Sequence, residues 1–175
     1  MDPIIATGEK APLFQLTDIR GDIYSLTKMF GRVIILNFWS AECMWCERVD
    51  QWLMGFLETW KEQVIVLWIA SNVNESRALV ERIATERNLP TVLLDEHQQV
   101  ADLYGAEVTP HFFIVDARGN LAYRGSWDDI SFRQRVATQA YVPDVVEALM
   151  QDLTPRIRQT PPYGCILVRF SDQNS

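Results

Sequence analysis

Cys43 and Cys46 stand two residues apart, directly after the segment Val33-Ile34-Ile35-Leu36-Asn37-Phe38-Trp39-Ser40. After them, Val49, Trp52, Leu53, Phe56, Leu57 and Trp60 recur at helical spacing. A buried strand therefore delivers two thiols to the first turn of an amphipathic helix. At that spacing they approach closely enough to close one disulfide and release it again. The positive end of the helix dipole favours the thiolate of Cys43, expected to be the more exposed of the two. In an α/β chain such a pair is read first as a redox motif.

Composition narrows the alternatives. The chain has 175 residues, 48% of them hydrophobic, and a formal charge of −7. That supports one well-buried domain and leaves no basic excess to neutralise phosphates, so nucleic acid is not an expected partner. Three cysteines (Cys43, Cys46 and Cys165) are too few for a disulfide scaffold. The N-terminus lacks a basic region followed by a long apolar core, and no apolar run approaches the ~20 residues of a membrane span. The expectation is a cytoplasmic protein without a membrane segment. His97 and His111 lack ligand spacing with the cysteines, so no metal is expected.

The pair has to be positioned by the elements around it. Residues 13–16 and 23–26 flank a turn-rich connector and predict an N-terminal β-hairpin; a helical turn at 28–31 follows. Apolar runs at 33–39, 64–70 and 91–95 predict buried strands. Asn74 is the predicted cap of a charged helix over 75–88 that buries Leu79, Ile83 and Ala84. A helical turn at 100–104 stops at Gly105. Residues 112–116 and 121–124 form a second hairpin around Ala117-Arg118-Gly119-Asn120. Polar residues 126–140 read as irregular, and 141–152 as a final helix. The prediction is one α/β domain over 1–175, with its core at about 8–152. A Pro-rich tail and a last strand near 164–170 occupy 153–175.

This order of pieces resembles the thioredoxin superfamily, in its TlpA/ResA-like and peroxiredoxin-like (AhpC/TSA, redoxin) branches. The likeness is carried by residues 36–46, by 94–105 with Val108-Thr109-Pro110, and by 112–125. It implies a thioredoxin-like central mixed sheet flanked by helices. It also implies a cis Pro110 opposite the cysteines, with Thr109 presenting its backbone to an extended substrate. Cys43 and Cys46 would then be the catalytic pair, their own disulfide the only cofactor. The partners would be protein or small-molecule disulfides and thiols together with an electron donor.

Several residues depart from the family pattern. Asn37 stands where many thioredoxins carry a buried aspartate, and it cannot take a proton from Cys46. Glu42 adjoins Cys43 and either raises its pKa or is simply solvated. Met44 and Trp45 separate the cysteines, and such residues shift these potentials by more than about 100 mV. Trp45 is either a platform for a partner or a ring folded over Cys46. His111 could lend charge to a thiolate or only pack. Cys165, in Tyr163-Gly164-Cys165-Ile166, is either a third thiol that resolves or pairs between subunits, or a small buried hydrophobe. Two rival functions remain. Ser40 occupies the peroxiredoxin threonine position while Leu36 replaces its proline, which keeps a peroxide reductase in view. The other rival is a redox sensor or binding module without turnover.

Overall fold

In the computed structural model, which describes residues 5–170, seven strands form one mixed sheet. The strands β1 (Gln15–Asp18) and β2 (Ile23–Ser25) make the N-terminal hairpin. Asp18 shapes its turn by accepting from the backbone N–H groups of Arg20 and Asp22, both at 2.9 Å. A short helical turn at Leu26–Met29 leads to β3 (Val33–Trp39), buried at every position. Helix α1 (Met44–Trp60), β4 (Val64–Ala70), α2 (Arg77–Glu86) and β5 (Val92–Leu94) follow. Strands β3, β4 and β5 run parallel, as strand–helix–strand crossovers require.

Helix α3 (Gln99–Tyr104) precedes the short β6 (Val108–Thr109), and β7 (His111–Val115) pairs antiparallel with both β3 and β8 (Leu121–Gly125). Helix α4 (Tyr141–Met150) and β9 (Cys165–Ile166) complete the chain. The sheet order is β2-β1-β5-β4-β3-β7-β8, with separate hydrophobic clusters on its two faces. This is the thioredoxin-like α/β architecture expected from the sequence. Residues 1–4 and 171–175 of the expected domain lie outside the described residues. No helix among the described residues is long and apolar enough to cross a membrane.

Three local expectations are corrected. Ser76, not Asn74, caps α2, because its hydroxyl accepts from Leu79 N at 3.1 Å and so satisfies a first-turn donor. Trp52 is 60% exposed, because the inward face of α1 is centred on Cys46, Val49, Asp50 and Leu53. An apolar stripe thus overstated that face, and it missed the charged residue within it. The last strand is only Cys165–Ile166, and it pairs with β6 outside the main sheet.

The chain after α4 returns along the end of β8. Arg124 N donates to Arg158 O and Thr160 N to Arg124 O, both at 3.1 Å. Gly125, at φ +145°, lies so close that an added Cβ would fall 2.1 Å from Thr160 Oγ1 and 2.6 Å from Thr160 O. Only glycine satisfies both the dihedral and the contact. Gly125→Ala is therefore expected to lower unfolding free energy by about 1–3 kcal/mol, read by urea denaturation. An unchanged midpoint would show that the segment does not press on β8 in solution.

Candidate active site

Strand β3 ends at Trp39, and residues 40–43 turn the chain into α1. Cys43 is the N-cap, with extended backbone, and its carbonyl accepts the first helical bond from Glu47 N at 3.1 Å. A carboxylate missed by the sequence reading organises this turn. Glu75 accepts from Ala41 N at 3.1 Å and Glu42 N at 3.2 Å, and from the Ser40 hydroxyl. Glu42 itself faces solvent. The Ser40 hydroxyl, which a peroxidase reading needs for peroxide, is engaged by Glu75.

Cys43 is joined to Cys165, across a sequence separation of 122, and Cys46 is the free thiol. In this state Cys43 is bonded to the C-terminal segment, so the expected Cys43–Cys46 bridge is not the one formed. Cys43 is 2% exposed and Cys46 fully buried, so Cys43 is the more exposed of the two, as expected, but only marginally. The cause is β9, whose Cys165 pairs antiparallel with Thr109 directly before the cis Thr109-Pro110 bond. Thr109 O lies 3.1 Å from Cys43 Sγ. Cys165 is thus bonded to the N-cap cysteine, and it is half-buried on β9.

Trp45 is half-buried and packs against the core cluster that includes Cys43 and Cys46. It packs edge-on against Tyr163 at 5.1 Å between ring centroids, and Tyr163 meets Phe132 at 5.3 Å on another side. The chain's own tail occupies the aromatic surface. Nearby, Arg48 pairs with the buried Asp128 at 2.6 Å.

Beneath the cysteines, Asp50 is a buried carboxylate one turn beyond Cys46. It accepts from Trp39 Nε1 and Trp68 Nε1, both at 2.9 Å, and from Arg87 Nη1 at 3.0 Å. Arg87 also donates to Ala41 O at 3.1 Å. Burial raises the Asp50 pKa, and these three donors oppose that shift. Burial likewise pushes the Cys46 thiol well above the ordinary range; the Ser40 N–H, 3.5 Å from its sulfur, offsets part of this, and the Asp50 charge adds to it. An N-cap Cys43 and a desolvated Cys46 are unequal thiols, as a nucleophile and a resolving group need to be.

Asn37 is fully buried in β3, and neither its amide nitrogen nor its oxygen has a hydrogen-bond partner among the described residues. The Thr109 hydroxyl is likewise buried without one. His111 is buried, accepts from Glu107 N at 3.2 Å through Nδ1, and packs on Phe113. Burial, with the Arg124 charge, pulls its pKa down to about 3. A neutral imidazole brings no charge to a thiolate, so the charged role considered for His111 finds no support.

A sheet of this order, with a cysteine at the first turn of α1 facing a cis-proline, defines a thioredoxin-like protein. The AhpC/TSA family model matches residues 7–124, and the chain belongs to that family. It is similar to the thiol-disulfide oxidoreductase ResA of Geobacillus kaustophilus (strain HTA426), with 31% identity over 118 residues, 67% of each protein. A crystal structure of an uncharacterized conserved protein from Geobacillus kaustophilus superposes with a TM-score of 0.85 at 25% identity. That match covers 94% of this chain and 92% of the other. A putative thiol:disulfide interchange protein DsbE from Chlorobium tepidum shares the fold, with a TM-score of 0.62 at 24% identity over 69% of this chain and 84% of its own.

The depressed His111 pKa makes a signed prediction. Its ordinary value is 6.5 and its folded value about 3, so the unfolded chain binds the proton more tightly. The stability it confers is complete above pH 6.5 and is lost as pH falls toward 3. Relative to His111→Gln, the native protein should lose about 2 kcal/mol between pH 7 and pH 5 in urea denaturation. A constant difference at the two pH values would contradict a buried neutral imidazole.

Proposed function

We propose that the protein is a thiol–disulfide oxidoreductase in which Cys43 is the nucleophile and Cys46 the resolving thiol. One observation carries the reading: Cys43 is in a disulfide with a residue of an extended segment that pairs antiparallel with Thr109. That is the arrangement of a mixed disulfide with a peptide substrate, made here within one chain. The similarity to ResA supports the same chemistry.

In this reading the Cys43 thiolate attacks one sulfur of a substrate disulfide. A bond forms from Cys43 Sγ, the substrate S–S bond breaks, and one substrate sulfur leaves as a thiolate and takes a proton. Cys46 then loses its proton and attacks Cys43 Sγ, releasing the second substrate thiol and leaving Cys43–Cys46 oxidised. The substrate gains two electrons and the protein loses them; an electron-donor thiol returns them. The steps in reverse oxidise a dithiol. Thr109 and Pro110 offer the backbone edge for an extended polypeptide, Trp45 packs on its side chains, and the Ser40 N–H stabilises the Cys46 thiolate.

Turnover of an oxidised model protein with dithiothreitol as donor is the test. Cys43→Ser should abolish it, and a double variant Cys46→Ser, Cys165→Ser, which leaves no second thiol to displace the substrate, should accumulate a mixed disulfide through Cys43, visible on non-reducing gels. Undiminished turnover by Cys43→Ser would refute the assignment. Steady peroxide consumption by the reduced protein, with no activity on disulfides, would favour the peroxidase instead.

A further inference from the structure

Residues 158–168 cross the site as a strap fastened at both ends, and neither fastening uses sulfur. Upstream, the two bonds between Arg124 and residues 158 and 160 are joined by Ser126 N to Thr160 Oγ1 at 3.0 Å and Ser126 Oγ to Pro161 O at 2.6 Å. The buried Tyr123 hydroxyl adds a contact to Thr160 Oγ1 at 2.6 Å. Downstream, Leu167 N donates to Glu107 O at 3.1 Å and Val168 N to Asn72 Oδ1 at 2.8 Å. Gln98, 3% exposed, donates to Val168 O at 2.8 Å. Between these anchors, Tyr163 is seated against Trp45 and Phe132. Gly164 lies against Thr109 so closely that a Cβ would fall 2.2 Å from its carbonyl oxygen.

Such a strap keeps Cys165 beside Cys43 whether or not the two sulfurs are bonded, which gives it a high effective concentration. Cys46 lies three residues after Cys43, in the first turn of α1, and carries the free thiol. We propose that Cys165 is a third redox residue of this site, exchanging with Cys46 for Cys43. Cys46 loses its proton and attacks Cys43 Sγ; the Cys43–Cys165 bond breaks as Cys43–Cys46 forms, and Cys165 leaves as a thiolate and takes a proton. One S–S bond replaces another, so no external oxidant or reductant is consumed. This relay deepens the oxidoreductase reading and rests on it. In the Cys43–Cys165 form the Thr109 edge is filled by the chain itself. In the Cys43–Cys46 form the span 162–166 is released from its covalent tie, and a substrate segment can take its place while the anchors hold.

The test is disulfide mapping on the full chain, equilibrated in glutathione buffers, acid-quenched, alkylated and read by peptide mass spectrometry. The oxidised native protein should contain both bridges. Cys46→Ser should keep only Cys43–Cys165, and Cys165→Ser only Cys43–Cys46. Gly164→Val retains all three thiols and should shift the ratio of the bridges about tenfold toward Cys43–Cys46, because the new side chain lifts the strap from Thr109. Full alkylation of Cys165 in every oxidised native sample would overturn the relay, as would glutathione adducts in place of a Cys43–Cys165 bridge in Cys46→Ser. Either result alongside Cys43-dependent turnover removes only the relay, whereas turnover without Cys43 removes the oxidoreductase reading itself.

Discussion

A buried strand edge needs a partner, and at this site the edge is Thr109. Its residue is 1% exposed and lies immediately before Pro110, which has no N–H to offer. Backbone polar groups left unpaired away from water are costly, so this edge is stable when something extended lies along it. Here the chain supplies that partner from its own C-terminus through β9. The requirement accounts for features that otherwise look unrelated. Gly164 lets the backbones approach, Tyr163 finds a seat on Trp45, and Gly125 lets the returning chain press on β8. The sulfur bridge sits on a junction already built from backbone.

Below that junction lies a second constraint, the carboxylate of Asp50. Two tryptophans from neighbouring strands and an arginine following α2 all donate to it. It ties β3 and β4 to α1, and through Arg87 to the turn that carries Cys43. A buried charge is tolerable only with such partners, and its field reaches Cys46 and discourages ionisation there. The two cysteines therefore occupy opposite electrostatic settings within one helical turn. Asn37, where a titratable group stands in many thioredoxins, contributes no charge; the ionisable group near Cys46 comes from the helix instead.

Much of the fold was legible because it depends on local pattern. The apolar runs of β3, β4 and β7, the turn residues at Asp18 and Asp116, and the stop at Gly105 act over a few residues and read directly. At the candidate site, the delivery of Cys43 and Cys46 from β3 to the start of α1 reads from local pattern. The cis Thr109-Pro110 bond, by contrast, was expected only from the family resemblance. What escaped depends on distant partners. The apolar periodicity of α1 does not single out Asp50, because its donors come from Trp39, Trp68 and Arg87. Glu75 gave no signal as the organiser of the turn at 40–42. Cys165 lies 122 residues from Cys43, and periodicity carries no information about pairing over that distance. Trp52 shows the reverse error, an apolar residue assigned inward that the packed helix leaves in solvent.

Hydrogen-bonded anchors at both ends, and not sulfur alone, hold the strap over the site. Hydrogen exchange on the fully reduced protein measures this directly. The amides of Thr160, Leu167 and Val168 should keep their protection after reduction, while exchange should quicken only between residues 162 and 166. Loss of protection along the whole of 158–168 on reduction would contradict this anchoring, because Cys165 would then be tethered by the disulfide and nothing else.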